Sequence, residues 1–422
     1  MRRRSALPAI VALAVLAAGC SRPTEQARTR ETPTQLPAAA APSDPAMVAS
    51  VAKGNREFGL ALYRQVATKP GNVFISPISI AGAFGPVIAG AEGETRTAIA
   101  GALRFPGNGN GELHPALGGL LRGLEREQDG VTLSIANALW LQQGFAIKPA
   151  FARTARTDYE ALSETVDFVS APVAAAARIN AWVDSETRGR IPTLFAPEAF
   201  TVDTRLVVTN AVYFLGDWAE PFRRSATQPQ PFFVPGGTTR QVPLMFRRGQ
   251  YRTIETSEFQ AIDLPYKDGR LSMTVFLPQA RDGLPAFEAG LTPQRLDGWL
   301  EELDAARTNK TELHLPRLQI AETYDLVKPL SAMGMGIAFS PLQAGFGGIT
   351  DKERLYISAV AHKTFVRMDE KGTEAAAATG VVGEAVSAPL LFRADHPFFF
   401  VLRDKRSGTI LFMGRIVEPG PA

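Results

Sequence analysis

The chain has 422 residues, 45% of them hydrophobic and 21% charged, and 45 Lys and Arg against 42 Asp and Glu leave a net charge of +3. That composition is ordinary for a globular protein with a large core. No dense basic run lies in the body of the chain, so nucleic acid is not an expected partner.

At the N-terminus Arg2, Arg3 and Arg4 precede an apolar run over 7–18, closed by Ala17-Ala18-Gly19-Cys20. A basic start, a short apolar stretch and small residues at its end make a secretory signal over 1–20. The run is too short to span a bilayer comfortably. Cys20 is the only cysteine, so an internal disulfide is impossible and stability must come from the core. One reading of Cys20 is a free thiol in an ordinary signal peptide. The other is that the cassette resembles a bacterial lipobox, with Ala17 where Leu is usual. That resemblance implies that Cys20 is lipidated, becomes the mature N-terminus and anchors an exported protein to the cell envelope. Residues 21–46, rich in Pro, Ala, Thr and Ser, read as a disordered tether.

From Met47 the pattern becomes that of a folded domain over 47–422. Val48, Val51, Phe58, Leu62 and Val66 predict a helix over 47–67. Further helical stretches are predicted near 76–103, 114–127, 173–187 and 293–303. Strands are predicted at 131–141, 205–215, 271–277, 312–320, 356–368, 397–403 and 409–417. Helices first and strands later argue for a single α+β domain.

Motifs for catalysis are missing. The run Gly107-Asn108-Gly109-Asn110-Gly111 lacks the Lys-Ser/Thr of a phosphate loop and reads as a surface turn. There is no Gly-x-Ser-x-Gly elbow, His-Glu-x-x-His helix or Cys-x-x-Cys pair, and His114, His314, His362 and His396 stand far apart. Neither an enzyme nor a metal or other cofactor is expected. The segment 91–105 carries only Arg96 and Arg104, too little for a heparin-like cofactor.

The informative segment is Glu370-Lys371-Gly372-Thr373-Glu374-Ala375-Ala376-Ala377-Ala378-Thr379, lying between two predicted strands. An alanine run usually means a helix or a linker. Read at period two, one face carries Thr373, Ala375, Ala377, Thr379 and Val381, all small or β-branched and uncharged. Such a segment could slip between two existing strands.

This segment resembles the hinge of inhibitory serpins, and five further motifs agree in family order across nearly all of 47–420. They are Asn72 with Ser76-Pro77-Ile78-Ser79; Asn137-Ala138-Leu139-Trp140; and Ile179-Asn180-Ala181-Trp182-Val183 running on to Ile191-Pro192. The others are Thr209-Asn210-Ala211-Val212-Tyr213-Phe214 with Trp218, and Asp395-His396-Pro397 through Gly414-Arg415. The resemblance implies a single serpin-like α+β domain, with helices packed on a large, mostly antiparallel main sheet, smaller sheets and an exposed reactive loop. It implies that Ser76, Ser79, Asn210 and His362 form a polar cluster where the central strands part, with Asn72 nearby. Trp218, Arg317 and Glu370 would sit where the loop enters, with an Arg317–Glu370 pair.

The function so implied is suicide inhibition of a serine protease by a monomer, with the non-inhibitory carrier or chaperone as the alternative. The resemblance implies a reactive bond about seventeen residues into the loop from Glu370 and about eleven before Pro397, and both counts reach Val386–Ser387. Valine there suits an elastase-like protease, or a subtilisin-like one. No Lys or Arg lies between Gly372 and Phe392, so trypsin-like enzymes are not expected.

Overall fold

A computed structural model describes residues 44–109, 111–125, 130–352, 355–371 and 388–420. These belong to one compact unit over 40–422. Cys20, the hinge residues 372–379 and the bond Val386–Ser387 lie outside the described residues.

The N-terminal third is helical. Helix α1 (Pro45–Val66) starts two residues before the expected boundary, where Asp44 accepts a hydrogen bond from the Ala46 N–H at 3.0 Å. Strand β1 (Val73–Ile75) leads into α2 (Pro77–Gly90). The stretch expected as helical over 76–103 is broken, because Ala91 and Glu92 are extended before α3 (Gly93–Leu103). Helix α4 (Leu113–Leu124) follows. Strand β2 (Val131–Gln142), α5 (Pro149–Tyr159), β3 (Leu162–Val166), α6 (Pro172–Glu186) and β4 (Leu206–Gly216) come next.

The rest is mostly strand. It comprises β5 (Gln228–Phe233), β6 (Thr239–Glu255), β7 (Phe259–Pro265) and β8 (Leu271–Pro278), then α7 (Leu284–Gly290) and α8 (Pro293–Ala305). Proline opens α1, α2, α5, α6 and α8, the helix position where its fixed φ fits and its missing N–H costs nothing. The single strand expected over 312–320 is two, β9 (Thr308–Pro316) and β10 (Leu318–Asp325), divided at Arg317. The short helix α9 (Val327–Leu330), β11 (Ile357–Met368), β12 (Leu390–Arg393), β13 (Phe398–Asp404) and β14 (Thr409–Ile416) follow.

Two sheets result. The nine-stranded one runs β1-β14-β13-β8-β7-β6-β9-β12, with β5 on β6, and is antiparallel except where β12 lies parallel to β9. The five-stranded one runs β10-β11-β4-β2-β3 and is mixed: β11 and β4 pair in parallel, as do β2 and β3.

The five-stranded sheet separates two cores. On one face, Trp140, Val207, Ala211, Tyr213 and Phe365 pack against Ile179 and Val183 of α6. The other face adds Leu139, Val208, Val212 and Phe214 to the large core with α2 and the nine-stranded sheet. Burial on both sides explains why β4 is apolar on both faces, apart from Thr209 and Asn210, rather than alternating. Helix α2 is buried almost all round, and Gly85 lets it approach α5, since a Cβ there would stand 2.1 Å from the Tyr159 ring. Among the described residues no helix is long and apolar enough to cross a membrane.

Candidate functional site

The seam between β4 and β11 carries both groups of singled-out residues, one midway along it and one at its end. Midway, Asn137 on β2, Asn210 on β4 and His362 on β11 stand in one row, because Asn137 pairs with Asn210 and Asn210 with His362 in register. All three are buried. The Asn210 amide donates to the Asn137 carbonyl oxygen at 2.7 Å and to the Ser79 main-chain oxygen at 3.1 Å. Its Oδ1 accepts from the Ser79 hydroxyl at 2.8 Å and lies 2.5 Å from His362 Nδ1. His362 Nε2 accepts from the Ser76 N–H at 3.1 Å. Since that nitrogen accepts, the ring proton is on Nδ1 and is given to Asn210. The Ser76 hydroxyl donates to the Leu411 carbonyl at 2.6 Å, tying the group to β14. Burial pushes the His362 ring down to about 3, so it is neutral at physiological pH.

Ser76, Ser79, Asn210 and His362 are thus brought together. Asn137 joins them, although its motif pointed only to a core strand. Asn72 does not join. It faces the C-terminus instead, donating to the Glu418 carbonyl at 2.8 Å and accepting from the Val417 N–H at 2.9 Å. Strand β1 lies between residues 72 and 76 and carries the two side chains to its opposite ends.

At the end of the seam, β11 runs into Asp369, Glu370 and Lys371, all buried. The main chain here is held firmly. The Trp218 N–H donates to the Lys371 carbonyl at 2.7 Å, the Phe222 N–H to the Glu370 carbonyl at 2.6 Å, and the Trp218 indole N–H to the Asp369 carbonyl at 3.1 Å. Trp218 is fixed by stacking on Tyr266, ring centroids 4.7 Å apart.

The Glu370 carboxylate pairs with the Arg317 guanidinium and accepts from the Thr227 hydroxyl at 2.7 Å. Burial alone would raise this carboxyl, but the Arg317 and Thr227 hydrogen bonds outweigh it and hold it below its ordinary value. Arg317 reaches this position because it is the break between β9 and β10. Phe222, Thr227 and Asp369 are not legible as site residues in the sequence. Two of them act through main-chain atoms, and Thr227 is an isolated hydroxyl in a loop, so none leaves a signature.

Beyond Lys371 the chain passes to β12, whose residues 390–393 pair in parallel with 311–314 of β9. Chemically, the arrangement is a clamp on a chain end beside a seam. Among the described residues no group of three His, Cys, Asp or Glu could hold a metal ion.

Comparison with known proteins gives one result. The model of the family described as "Serpin (serine protease inhibitor)" matches residues 53–419. The leukocyte elastase inhibitor of Bos taurus is 37% identical, over 83% of this chain and 93% of its own length. An uncharacterized serpin-like protein of Thermococcus kodakarensis is 35% identical over 99% of each chain. Among solved structures, uncleaved ovalbumin aligns with a TM-score of 0.80 and 29% identity, covering 88% of this chain and 100% of its own.

Proposed function

The chain belongs to the serpin family, and from that premise we propose that it inhibits serine proteases by loop cleavage followed by strand insertion at the β4–β11 seam. The observation that carries this reading is the direct parallel pairing of β4 and β11, with Glu370 clamped at the end of β11. A chain that folds back from Glu370 runs antiparallel to both strands. Its entry replaces one parallel pairing by two antiparallel ones, which are slightly more stable per residue. Residues 373, 375, 377, 379 and 381 supply the small uncharged face that a seam between two cores demands.

In this mechanism the protease serine oxygen attacks the Val386 carbonyl carbon. The bond to the Ser387 nitrogen breaks, and the Ser387 amine leaves with a proton while an ester to the enzyme remains. The freed hinge then enters the sheet. The stretch 372–386, at about 3.3 Å per residue, carries the attached enzyme some 50 Å or so before water completes hydrolysis. Insertion is one-way, so the uncleaved protein is a kinetically trapped state. Insertion of a cleaved loop as an added strand is well known for serpins at large. For this chain we assign it to the bond Val386–Ser387 and to an elastase-like or subtilisin-like target.

We further propose that the protein works outside the cytoplasm, with Cys20 lipidated at the cell envelope, on the strength of the cassette over 1–20. Incorporation of a labelled fatty acid that is lost in Cys20→Ala supports that location; equal labelling of the variant removes it.

The decisive experiment mixes residues 47–422 with an elastase and resolves the products on a denaturing gel. A covalent complex with a new N-terminus at Ser387 supports the reading. Cleavage without a complex, and without a gain in thermal stability, overturns it in favour of a carrier or chaperone.

A further inference from the structure

Away from the β4–β11 seam, a cleft of about 650 Å³ opens between the loop after α1, the turn joining β5 to β6, and the start of α7. Small-molecule sites occupy roughly 300–1,000 Å³. The walls of this one are mainly apolar, with Phe233, Val234, Leu284, Pro397 and Val417 among them.

Two guanidinium groups reach the cleft, and their situations differ. Arg415 is fully engaged, with Glu288 at 3.1 Å and the carbonyls of Gly71, Ala67 and Lys69 at 3.0, 3.1 and 2.6 Å. Arg281 makes no hydrogen bond or ion pair with a described residue, its neighbour Asp282 included, although its charge acts at longer range on Asp395. Its guanidinium lies over the Phe233 ring, 3.5 Å from the centroid. Stacking occupies the flat face of the group and leaves the in-plane N–H donors free. Those donors match a carboxylate, which can take two parallel hydrogen bonds from one guanidinium.

We propose that this cleft binds a small organic carboxylate with an extended apolar body. The carboxylate sits on Arg281, and an alkyl or aryl tail lies along Val234, Leu284, Pro397 and Val417. Arg281 selects the head, since it is the cation of the cleft with no hydrogen bond to a described residue, while the Glu288 carboxylate in the wall is held by Arg415. The apolar walls select the tail, which removes their exposed surface from water. The site does not depend on the inhibitory reading, because it lies apart from the seam and the clamp at Glu370.

Isothermal titration of the full chain with octanoate, decanoate and decanol tests the proposal. Each added methylene should tighten binding by about fourfold, so decanoate should bind about fifteenfold more tightly than octanoate. Decanoate should also outbind decanol by about tenfold, and Arg281→Ala should erase that preference while leaving decanol unchanged. Val417→Trp, which fills the cleft, should weaken both ligands. Arg281 is exposed, so its variant tests the proposal even if Val417→Trp misfolds. Absence of saturable binding, equal binding of acid and alcohol, or a preference that survives Arg281→Ala overturns it.

Discussion

Asn210 and His362 face each other in register across two parallel strands, with the amide oxygen of one 2.5 Å from the Nδ1 of the other. The pairing fixes the histidine as a neutral donor. Its folded value is about 3, against an ordinary 6.5, because burial opposes the charged ring. Between those two values the unfolded chain takes up a proton that the folded chain refuses. The histidine's contribution to stability therefore rises with pH from about 3 to 6.5 and is level above. One proton is at stake, so the slope does not exceed about 1.4 kcal/mol per pH unit. Urea unfolding of His362→Gln beside the parent, between pH 4.5 and 6.5, should show a parent-minus-variant stability difference that grows as pH rises. Equal slopes would assign the proton to another group.

Removing the centre of the same row should cost more than removing an edge. Asn210→Ala leaves the Asn137 oxygen and the His362 N–H without their partner. Buried groups orphaned in this way cost about 1–3 kcal/mol each. We expect roughly 3 kcal/mol or more of lost stability by urea midpoint, and faster strand exchange at the seam by hydrogen exchange. A loss below 1 kcal/mol would mean that water replaces the amide.

At the clamp, the Glu370 side chain is 3% exposed and Arg317 is 32% exposed, so the carboxylate has little water to turn to if its partner is lost. Arg317→Ala should destabilise by about 3 kcal/mol. Glu370→Gln in that background should recover part of the loss, because a neutral amide tolerates burial. Glu370 is held below its ordinary value, so its contribution is present above the ordinary carboxylate range and fades as pH falls through the folded value. A double-mutant cycle measures the coupling, and additive losses would show that the pair contributes nothing.

Gly414 tests the join between β1 and β14. A Cβ at that position would lie 1.9 Å from the Val73 carbonyl oxygen, which is main chain and cannot rotate away. Gly414→Ala should force β1 off β14 and cost more than about 3 kcal/mol, read as a fall in thermal midpoint of about four degrees or more.

The last prediction concerns function. Thr373 would be the first hinge side chain to enter the seam. Thr373→Arg should leave loop cleavage intact and abolish the covalent complex, turning an inhibitor into a substrate. A stable complex with the variant would remove the insertion model.

Much of this is readable in the residues, but unevenly. The strand expected at 205–215 is β4 at Leu206–Gly216, and the Ala-rich helix over 173–187 is α6, because both segments have strong local patterns. Strand β6 is not among the expected strands. It pairs with β5 over 239–244, with β9 over 244–252 and with β7 over 252–255, so no single face stays buried and no alternation develops. The polar row is reached only through family motifs. Nothing local says that residues 137, 210 and 362 meet, since their alignment is set by strand register across some two hundred residues of chain. Asn72 shows the limit of that route, for a motif neighbour of Ser76 faces residues 417 and 418 instead.

That contact between the two ends of the domain bears on how the protein is made. Strand β14 lies between β1 and β13, and Asn72 holds the residues just beyond it. A growing chain therefore emerges with the faces of α1 and α2 that meet β14 uncovered, and it cannot shield those faces until β14 has been translated. The β1 edge of the nine-stranded sheet must wait for a strand that the ribosome delivers more than three hundred residues after the one it pairs with. Those faces need protection from aggregation through most of synthesis, and a nonsense mutation just ahead of β14 would leave β1 and β13 without the strand that joins them.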